Sequence, residues 1–319
     1  MMAGESKKDQ RGTVSVIDCL DTHFLDQLQC PYQLDAPLGA MTWFGTGGNA
    51  QVLAKPQSVE QLSALIKHCY QQQIPVKILG SGANLLISDQ GVKGIVLKLD
   101  APAFTQVQIQ DELVTAGSGY DLFKLVTLTT KAGLSGLERL AGIPASLGGA
   151  VRMNAGGAYG DIGQVIQSVK LIDASGEVYQ RDRSDLVFAY RKTNIVAKAI
   201  LQVTFKLEQA DPNELSKRVR EIFLYKKTTQ PMSQHSAGCA FKNPKPQGQA
   251  KRVSAGMLID QAGLKGYAIG SAKVSERHAN FIVANPGATS TDIADLINEI
   301  QAVVKKHHDI QLKPEVVIW

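Results

Sequence analysis

The sequence predicts an α+β protein, with mixed strands and a few helices up to about residue 207 and a smaller α+β part from about residue 208. Three observations predict this. Short segments of strand character share the first two-thirds of the chain with amphipathic stretches of helical period. Near residue 208 the composition shifts to a charged amphipathic segment. Eleven of the 29 glycines fall between Gly117 and Gly163, where they interrupt otherwise core-like sequence.

At 319 residues the chain is too long for one average core, so two or three domains are expected. Hydrophobic content of 44% and charged content of 20% are globular values. The net charge of +5 comes from 34 basic and 29 acidic residues, scattered with no block of five like charges, which argues against a nucleic-acid tail. A mild positive charge suits small anionic ligands. The N-terminal residues contain no apolar run long enough for a signal peptide, and no stretch of eighteen apolar residues occurs anywhere. Cys19, Cys30, Cys69 and Cys239 show no CxxC spacing and no matching histidine pattern. Together these features suggest a soluble cytoplasmic protein with free thiols and no metal site.

Taken in order, residues 1–30 form an extension whose Val16, Ile17, Leu20, Phe24, Leu25 and Leu28 predict one short helix. Thr42–Gly48 reads as an aromatic pair entering a glycine turn. Ser58–Gln73 is a helix, with capping-box spacing at Ser58 and Gln61 and an apolar stripe of Val59, Leu62, Leu65, Ile66 and Cys69. Pro75–Leu79 is a strand that runs into Gly80-Ser81-Gly82-Ala83-Asn84, and Leu85–Ile87 is a second strand. Consecutive N–H groups at such a turn can point at one anion. The turn is not a P-loop, since no Gly-Lys-Ser/Thr follows. Nor is it a dinucleotide fingerprint, since the third glycine position holds Leu85 and a strand follows.

Val92–Leu99, Val107–Ile109 and Leu113–Ala116 read as a meander, and Tyr120–Lys131 as a helix stopped at Gly133. Val165–Ile172, Val178–Tyr179 and Ile200–Phe205 return to strand character, with Ala174-Ser175-Gly176 as a hairpin turn. Beyond residue 208 the helices are Asn213–Lys226, Ser254–Ala262 and Thr291–Lys306. Strands are expected at Phe281–Val283 and around Glu315–Ile318.

The glycine-rich stretch Gly136–Gly163 contains Ile143, Pro144, Ala145, Leu147, Ala150 and Val151, so it is not a solvated linker. Glycines clustered in apolar sequence serve either tight packing or the close approach of a ligand to the backbone. Both readings stand on composition. The second would make this a buried irregular backbone wrapped around a flat or phosphorylated ligand.

Several separate motifs then occur in one order: Gly80–Leu86, Gly142-Ile143-Pro144-Ala145-Ser146-Leu147-Gly148-Gly149-Ala150-Val151-Arg152-Met153-Asn154-Ala155-Gly156, Tyr190-Arg191, Phe241-Lys242-Asn243-Pro244, Val274–Val283 and Pro314-Glu315-Val316. In this order they resemble the UDP-N-acetylenolpyruvoylglucosamine reductase family over roughly residues 40–319. The resemblance implies an FAD-binding domain of the vanillyl-alcohol-oxidase (PCMH) type in two subdomains, residues 31–100 and 101–207. A substrate-binding domain, residues 208–319, follows. It implies FAD as bound cofactor, NADPH as reductant and UDP-N-acetylglucosamine enolpyruvate as substrate, reduced to UDP-N-acetylmuramate.

On this resemblance Gly80, Ser81, Gly82, Ala83, Asn84, Gly142, Ile143, Pro144, Ser146, Gly149, Asn154 and Gly156 hold the cofactor, largely through backbone groups. Arg191 matches the arginine beside the substrate carboxylate, and a planar guanidinium suits a carboxylate bidentately. Glu315 matches a glutamate that assists protonation or holds the acidic form of the intermediate. Cys239 stands where many members carry a serine proton donor; a thiol, with a reference pKa of about 8.5, gives up a proton more readily than an alcohol and also oxidises. Tyr190, Gln230, Lys242 and Asn243 are candidates for contact with substrate. The region after Lys242 lacks the long inserted tyrosine loop of some members and resembles the family's second subclass, so closure over substrate must come from elsewhere. Two other readings remain: a flavin oxidase of the same fold, and a flavin- or sugar-nucleotide-binding protein without activity.

Overall fold

The computed structural model describes residues 20–245 and 252–319. Its first sheet has four strands in the order Tyr32–Ala36, Ala50–Ala54, Val92–Lys98, Val76–Leu79. The first pair is antiparallel, and Val92–Lys98 runs parallel to both of its neighbours. The expected meander is therefore split. Val92–Lys98 is apolar and buried along nearly its whole length, as a central parallel strand must be, whereas Val107–Gln110 and Leu113–Gly117 pair in a different sheet.

Helix Val59–Gln71 covers the first sheet. Leu62, Leu65 and Ile66 share one buried cluster with Val52, Ile95 and Leu97, at about 2 kcal/mol for each large side chain removed from water. Only half of the expected capping box forms. Ser58 Oγ accepts from Gln61 N at 3.2 Å, but the Gln61 side chain accepts from Gln57 N at 2.8 Å and donates to Leu28 O at 3.1 Å. The cap thus ties the helix to the N-terminal segment, where the short helix is His23–Gln27 with Phe24 and Leu25 buried in the same cluster. Val16, Ile17 and Cys19 lie outside the described residues.

The second sheet is five-stranded and antiparallel, in the order Val178–Asp182, Ile166–Ile172, Ala199–Lys206, Leu113–Gly117, Val107–Gln110. The turn at residues 174–176 is closed by Asp173, whose carboxylate accepts from Ser175 N at 2.8 Å and Glu177 N at 3.0 Å. Helix Leu122–Lys131, capped by Asp121, packs on this sheet with a second helix, Leu147–Arg152. That second helix lies inside the glycine-rich stretch and corrects the expectation of irregular backbone there. Gly148 and Gly149 are poor helix formers, but Leu147, Ala150 and Val151 anchor the turn in the core.

After residue 208 a long helix, Pro212–Thr229, starts on Asp211, whose side chain accepts from Asn213 N at 2.9 Å. Its Ile222 belongs to the core of the second sheet. The remaining residues form a three-stranded sheet, Ala268–Ile269, Ala272–Val274 and Ile282–Ala284, packed with helices Ala255–Gln261 and Ser290–His308. The expected final strand divides in two. Lys313–Pro314 pairs with Phe241–Lys242, and Val317–Ile318 runs parallel to Leu85–Leu86. The chain thereby returns to the segment that follows the Gly80–Asn84 turn. Asp89 adds a second tie there, accepting from Ser290 N at 2.9 Å and Thr291 N at 3.0 Å at the start of the last helix.

Candidate active site

The two glycine motifs meet. A Cβ on Gly80 would lie 2.3 Å from Ser146 Oγ, and one on Gly149 would lie 3.2 Å from the same atom. Gly82, at φ +68°, would drive a Cβ to 2.3 Å from Met41 O, so this turn admits only glycine. Ser146 is the N-cap of helix Leu147–Arg152, yet its hydroxyl makes no cap bond. Close by, Ser118 Oγ is buried with no hydrogen-bond partner, and its Cβ lies 2.9 Å from where a Cβ of Gly148 would stand. A buried hydroxyl beside a junction stripped of side chains suits the phosphate oxygens of a cofactor. Ser81, Ala83, Ile143 and Pro144 are half-buried in these loops. The residues present therefore fit the diphosphate of FAD.

From this junction the backbone leads to the candidate chemistry. Asn154, 1% exposed and at φ +44°, donates Nδ2 to Ala189 O at 2.9 Å and accepts from Gly163 N at 3.1 Å. It pins the hairpin Phe188–Ala189/Lys192–Thr193, at whose turn Arg191 stands with φ +54°. A left-handed arginine costs on the order of 1 kcal/mol, and such residues persist where surrounding contacts fix them. Here those contacts are two. Arg191 Nη2 donates to Gly156 O at 2.7 Å, and its Nε forms an ion pair with Glu315 in which both side chains are largely buried.

Glu315 is held by its own backbone, with N donating to Ala240 O at 2.8 Å and O accepting from Asn84 Nδ2 at 3.0 Å. Burial raises its carboxyl above the ordinary value, outweighing the pull of Arg191 and Lys242. Cys239 sits in the adjacent segment, bridged to Phe281. Burial first, then the Glu315 carboxylate, push its thiol up to about 12, against the opposing pull of Arg191 and Asn280. The easier release of a proton expected for a thiol is thus removed by its surroundings. At neutral pH Cys239 carries its proton.

The substrate candidates are more dispersed in role. The Tyr190 hydroxyl accepts from Asn243 N at 3.1 Å, and two guanidinium groups lie over its ring, Arg252 at 4.1 Å and Arg191 at 5.1 Å. Asn243 Oδ1 accepts from Ala255 N at 2.9 Å, so that oxygen serves the next helix. Lys242 lies near enough to Glu315 to act on its titration. Gln230 ends helix Pro212–Thr229, and its carbonyl accepts from Arg277 Nη1 at 3.3 Å. Near these elements a cleft of about 300 Å³ is lined by Thr42, Trp43, Met232 and His235.

Two positions escaped the sequence reading. Asn280, 2% exposed, donates to Phe241 O at 2.8 Å and accepts from Phe241 N at 3.0 Å, so it hangs the Cys239–Phe241 segment in place. Its signal was present as an amide inside an apolar run, Ala279-Asn280-Phe281-Ile282-Val283. Lys226, 8% exposed, donates Nζ to Ala141 O at 2.6 Å, and burial with the nearby Arg191 lowers its pKa to about 8. Nothing in the helical pattern separates Lys226 from exposed Lys227.

Residues 50–181 match the model of the FAD-binding domain family, and residues 230–319 match that of the UDP-N-acetylenolpyruvoylglucosamine reductase C-terminal domain. The chain is 37% identical over 286 residues to the UDP-N-acetylenolpyruvoylglucosamine reductase of Bacillus pumilus, covering 88% of this chain and 92% of that protein. It belongs to the UDP-N-acetylenolpyruvoylglucosamine reductase family. The reductase of Listeria innocua is likewise 37% identical, over 92% of this chain and 97% of its own. Among solved structures, the reductase of this family from Thermus caldophilus matches with a TM-score of 0.76 and 35% identity, over 91% of this chain and 98% of that one. The α+β fold class read from the sequence is that of this reductase family, with its FAD-binding domain ahead of its C-terminal domain. Cys30, Cys69 and Cys239 are free thiols, and Cys19 lies outside the described residues. No described helix is long and apolar enough to cross a membrane.

Proposed function

We infer that the protein reduces UDP-N-acetylglucosamine enolpyruvate to UDP-N-acetylmuramate in peptidoglycan precursor synthesis, with NADPH as reductant and FAD as bound cofactor. The observation that carries the assignment of roles is the buried pair of Arg191 and Glu315, seated on the Gly156 carbonyl and next to Cys239.

When bound, FAD supplies the hydride, taken from NADPH, that adds to the methylene carbon of the enolpyruvyl ether. The two glycine motifs would hold its diphosphate through backbone amides and the hydroxyls of Ser146 and Ser118. Gly80, Ser81, Gly82 and Ala83 supply one wall, and Gly142, Ile143, Pro144 and Gly149 the other. Asn84, Asn154 and Gly156 act through the backbone they fix. Charge that grows on the neighbouring carbon and its carboxylate is met by the Arg191 guanidinium. Cys239 gives its proton to that carbon, which completes the addition of two hydrogens across the double bond. Glu315 orients Arg191, and its carboxylate, close to Cys239, disfavours the thiolate and so keeps the proton on sulfur until it is needed. Lys242 takes the substrate diphosphate, while Tyr190, Asn243 and Gln230 line the approach.

The sequence after Lys242, without a long inserted tyrosine loop, resembles the second subclass of the family. The domain division at about residues 30, 100 and 207 follows from the same family likeness. A cytoplasmic location follows from the need for both NADPH and a nucleotide-activated sugar.

A single-turnover measurement tests the function. FAD-loaded protein reduced by NADPH without oxygen regains its oxidised flavin spectrum when the enolpyruvyl substrate is added. Reoxidation by oxygen alone would favour the oxidase reading, and no reoxidation by either would favour a binding protein.

A further inference from the structure

Tyr190 is gripped twice from the C-terminal part of the chain. Its hydroxyl accepts from Asn243 N at 3.1 Å, and the Arg252 guanidinium lies 4.1 Å from the centre of its ring. Arg252 is itself fixed, because its Nη1 donates to Asn243 O at 2.9 Å. Tyr190, Asn243 and Arg252 therefore close a triangle of contacts. The triangle stands on a rigid support. Asn243 Oδ1 accepts from Ala255 N at 2.9 Å, at the start of helix Ala255–Gln261, whose Ala255, Leu258 and Ile259 are buried in the C-terminal core.

Arg252 is exposed and makes no ion pair among the described residues. A solvated arginine keeps its rotamer freedom. This one spends the flat face of its guanidinium on a ring and one nitrogen on a main-chain oxygen. Both uses serve Tyr190 and its partner Asn243, and neither is aimed at a ligand.

The hairpin that carries Tyr190 needs such a grip. It has only two pairs, Phe188 with Thr193 and Ala189 with Lys192, joined by Tyr190 and Arg191. Two-residue turns that match the twist of a hairpin place a positive φ on their first residue. Here the positive φ falls on the second, Arg191 at +54°, and Tyr190 has none. A hairpin this short is not stable alone, so the aim of Arg191 depends on what holds the turn from outside. Asn154 holds Ala189, and Glu315 holds Arg191 itself. Tyr190 is the remaining point of attachment. The Arg191 guanidinium also lies over the Tyr190 ring at 5.1 Å, so a displaced ring would be felt there directly.

We propose that Arg252 is a positioning residue: stacked on Tyr190, it holds the turn that aims Arg191 at the substrate carboxylate. This rests on the reductase function and on the role given there to Arg191. Arg252 touches no reacting atom and acts through the ring.

The test uses the full chain loaded with FAD. Amide hydrogen exchange across residues 188–193 is followed without substrate in the parent, Arg252→Ala and Arg252→Lys. Exchange there is expected to rise by about five- to ten-fold in Arg252→Ala, the scale of one cation–ring contact, and to stay near the parent in Arg252→Lys, which keeps a cation over the ring. Stopped-flow traces then separate the half-reactions. Arg252→Ala should slow flavin reoxidation by saturating enolpyruvyl substrate by about five- to ten-fold. The half-saturating substrate concentration and the reduction by NADPH should stay within about two-fold of the parent. On a Tyr190→Leu background the same substitution should add nothing, since the ring it acts through is gone.

Unchanged exchange in Arg252→Ala overturns the proposal, as does parental reoxidation in that variant. A slowing that persists in full on the Tyr190→Leu background overturns it too. A raised half-saturating concentration at an unchanged limiting rate overturns it in favour of direct contact with substrate. Equal slowing of both half-reactions overturns it in favour of a general loss of structure. A parent whose reduced flavin ignores the enolpyruvyl substrate refutes the reductase function, while the exchange result still decides whether Arg252 holds the turn.

Discussion

Arg191 and Glu315, 124 residues apart in sequence, form an ion pair with side-chain exposures of only 17% and 13%. The left-handed backbone of Arg191 and the bond to Gly156 O fix the guanidinium before substrate arrives. Preorganised charge of this kind acts on the transition state more than on the ground state. Arg191→Ala is therefore expected to slow substrate-driven flavin reoxidation by about a hundred-fold or more, while reduction by NADPH changes much less. Stopped-flow traces of the two half-reactions check this, and equal slowing of both contradicts the role.

Cys239 holds its proton because burial and Glu315 disfavour the thiolate. A serine hydroxyl would also be protonated there, so Cys239→Ser is expected to keep substantial turnover. Cys239→Ala removes the donor and should lower the rate by about a hundred-fold to ten-thousand-fold. Near-parental turnover in Cys239→Ala would dismiss the donor assignment.

Asn280 satisfies both backbone groups of Phe241, a residue 1% exposed. Asn280→Ala leaves an N–H and a carbonyl buried without partners, at a cost of about 2–4 kcal/mol. Urea unfolding of the FAD-loaded protein should show that loss, together with lowered turnover from a displaced Cys239. A change under about 1 kcal/mol would mean the segment is held by other contacts.

Lys226 gives the clearest pH signature. Folding lowers its pKa to about 8, from about 10.4 in an unfolded chain. Between those values the unfolded chain binds a proton that the folded chain does not, so stability rises with pH across that window. Below about 8 both states carry the charge and the contribution is level. Lys226→Met is expected to flatten the rise, which amounts to about 3 kcal/mol for a shift of this size. Unfolding curves collected across the window check it; variant and parent curves that stay parallel would contradict the burial of the ammonium.

The glycine loops of the candidate site were legible from local chemistry, whereas Arg191, Cys239 and Glu315 were reached through the family resemblance. The glycines of Gly80–Asn84 and Gly142–Gly156 announce backbone exposed to something other than side chains, and the structure brings those loops into contact at Ser146. The short helix Leu147–Arg152 was hidden because two of its six residues are glycine, so its propensity argues against it while core packing imposes it. Strands Tyr32–Ala36 and Ala50–Ala54 escaped for a related reason. The first is mostly exposed and carries Asp35 at φ +49°, and the second is a short apolar run without alternation. Sheet partners were the least visible. Whether Val92–Lys98 joins a meander or lies between two parallel strands depends on neighbours distant in sequence. Asn84 and Asn243, read as ligand contacts, spend part of their side chains on protein partners, and composition does not distinguish those uses.

The strand Val317–Ile318 beside Leu85–Leu86, with Asn84 bonded to Glu315 across 231 positions, bears on the order of events during synthesis. The Gly80–Asn84 turn is translated early, but Leu85–Leu86 beside it lacks its parallel partner until residues 317–318 have been made. The segment that follows the Gly80–Asn84 turn is therefore complete only once residues 315–318 have docked beside it. A bulky group placed against residues 313–318 is expected to disturb the Gly80–Asn84 turn and the Phe241–Lys242 strand together.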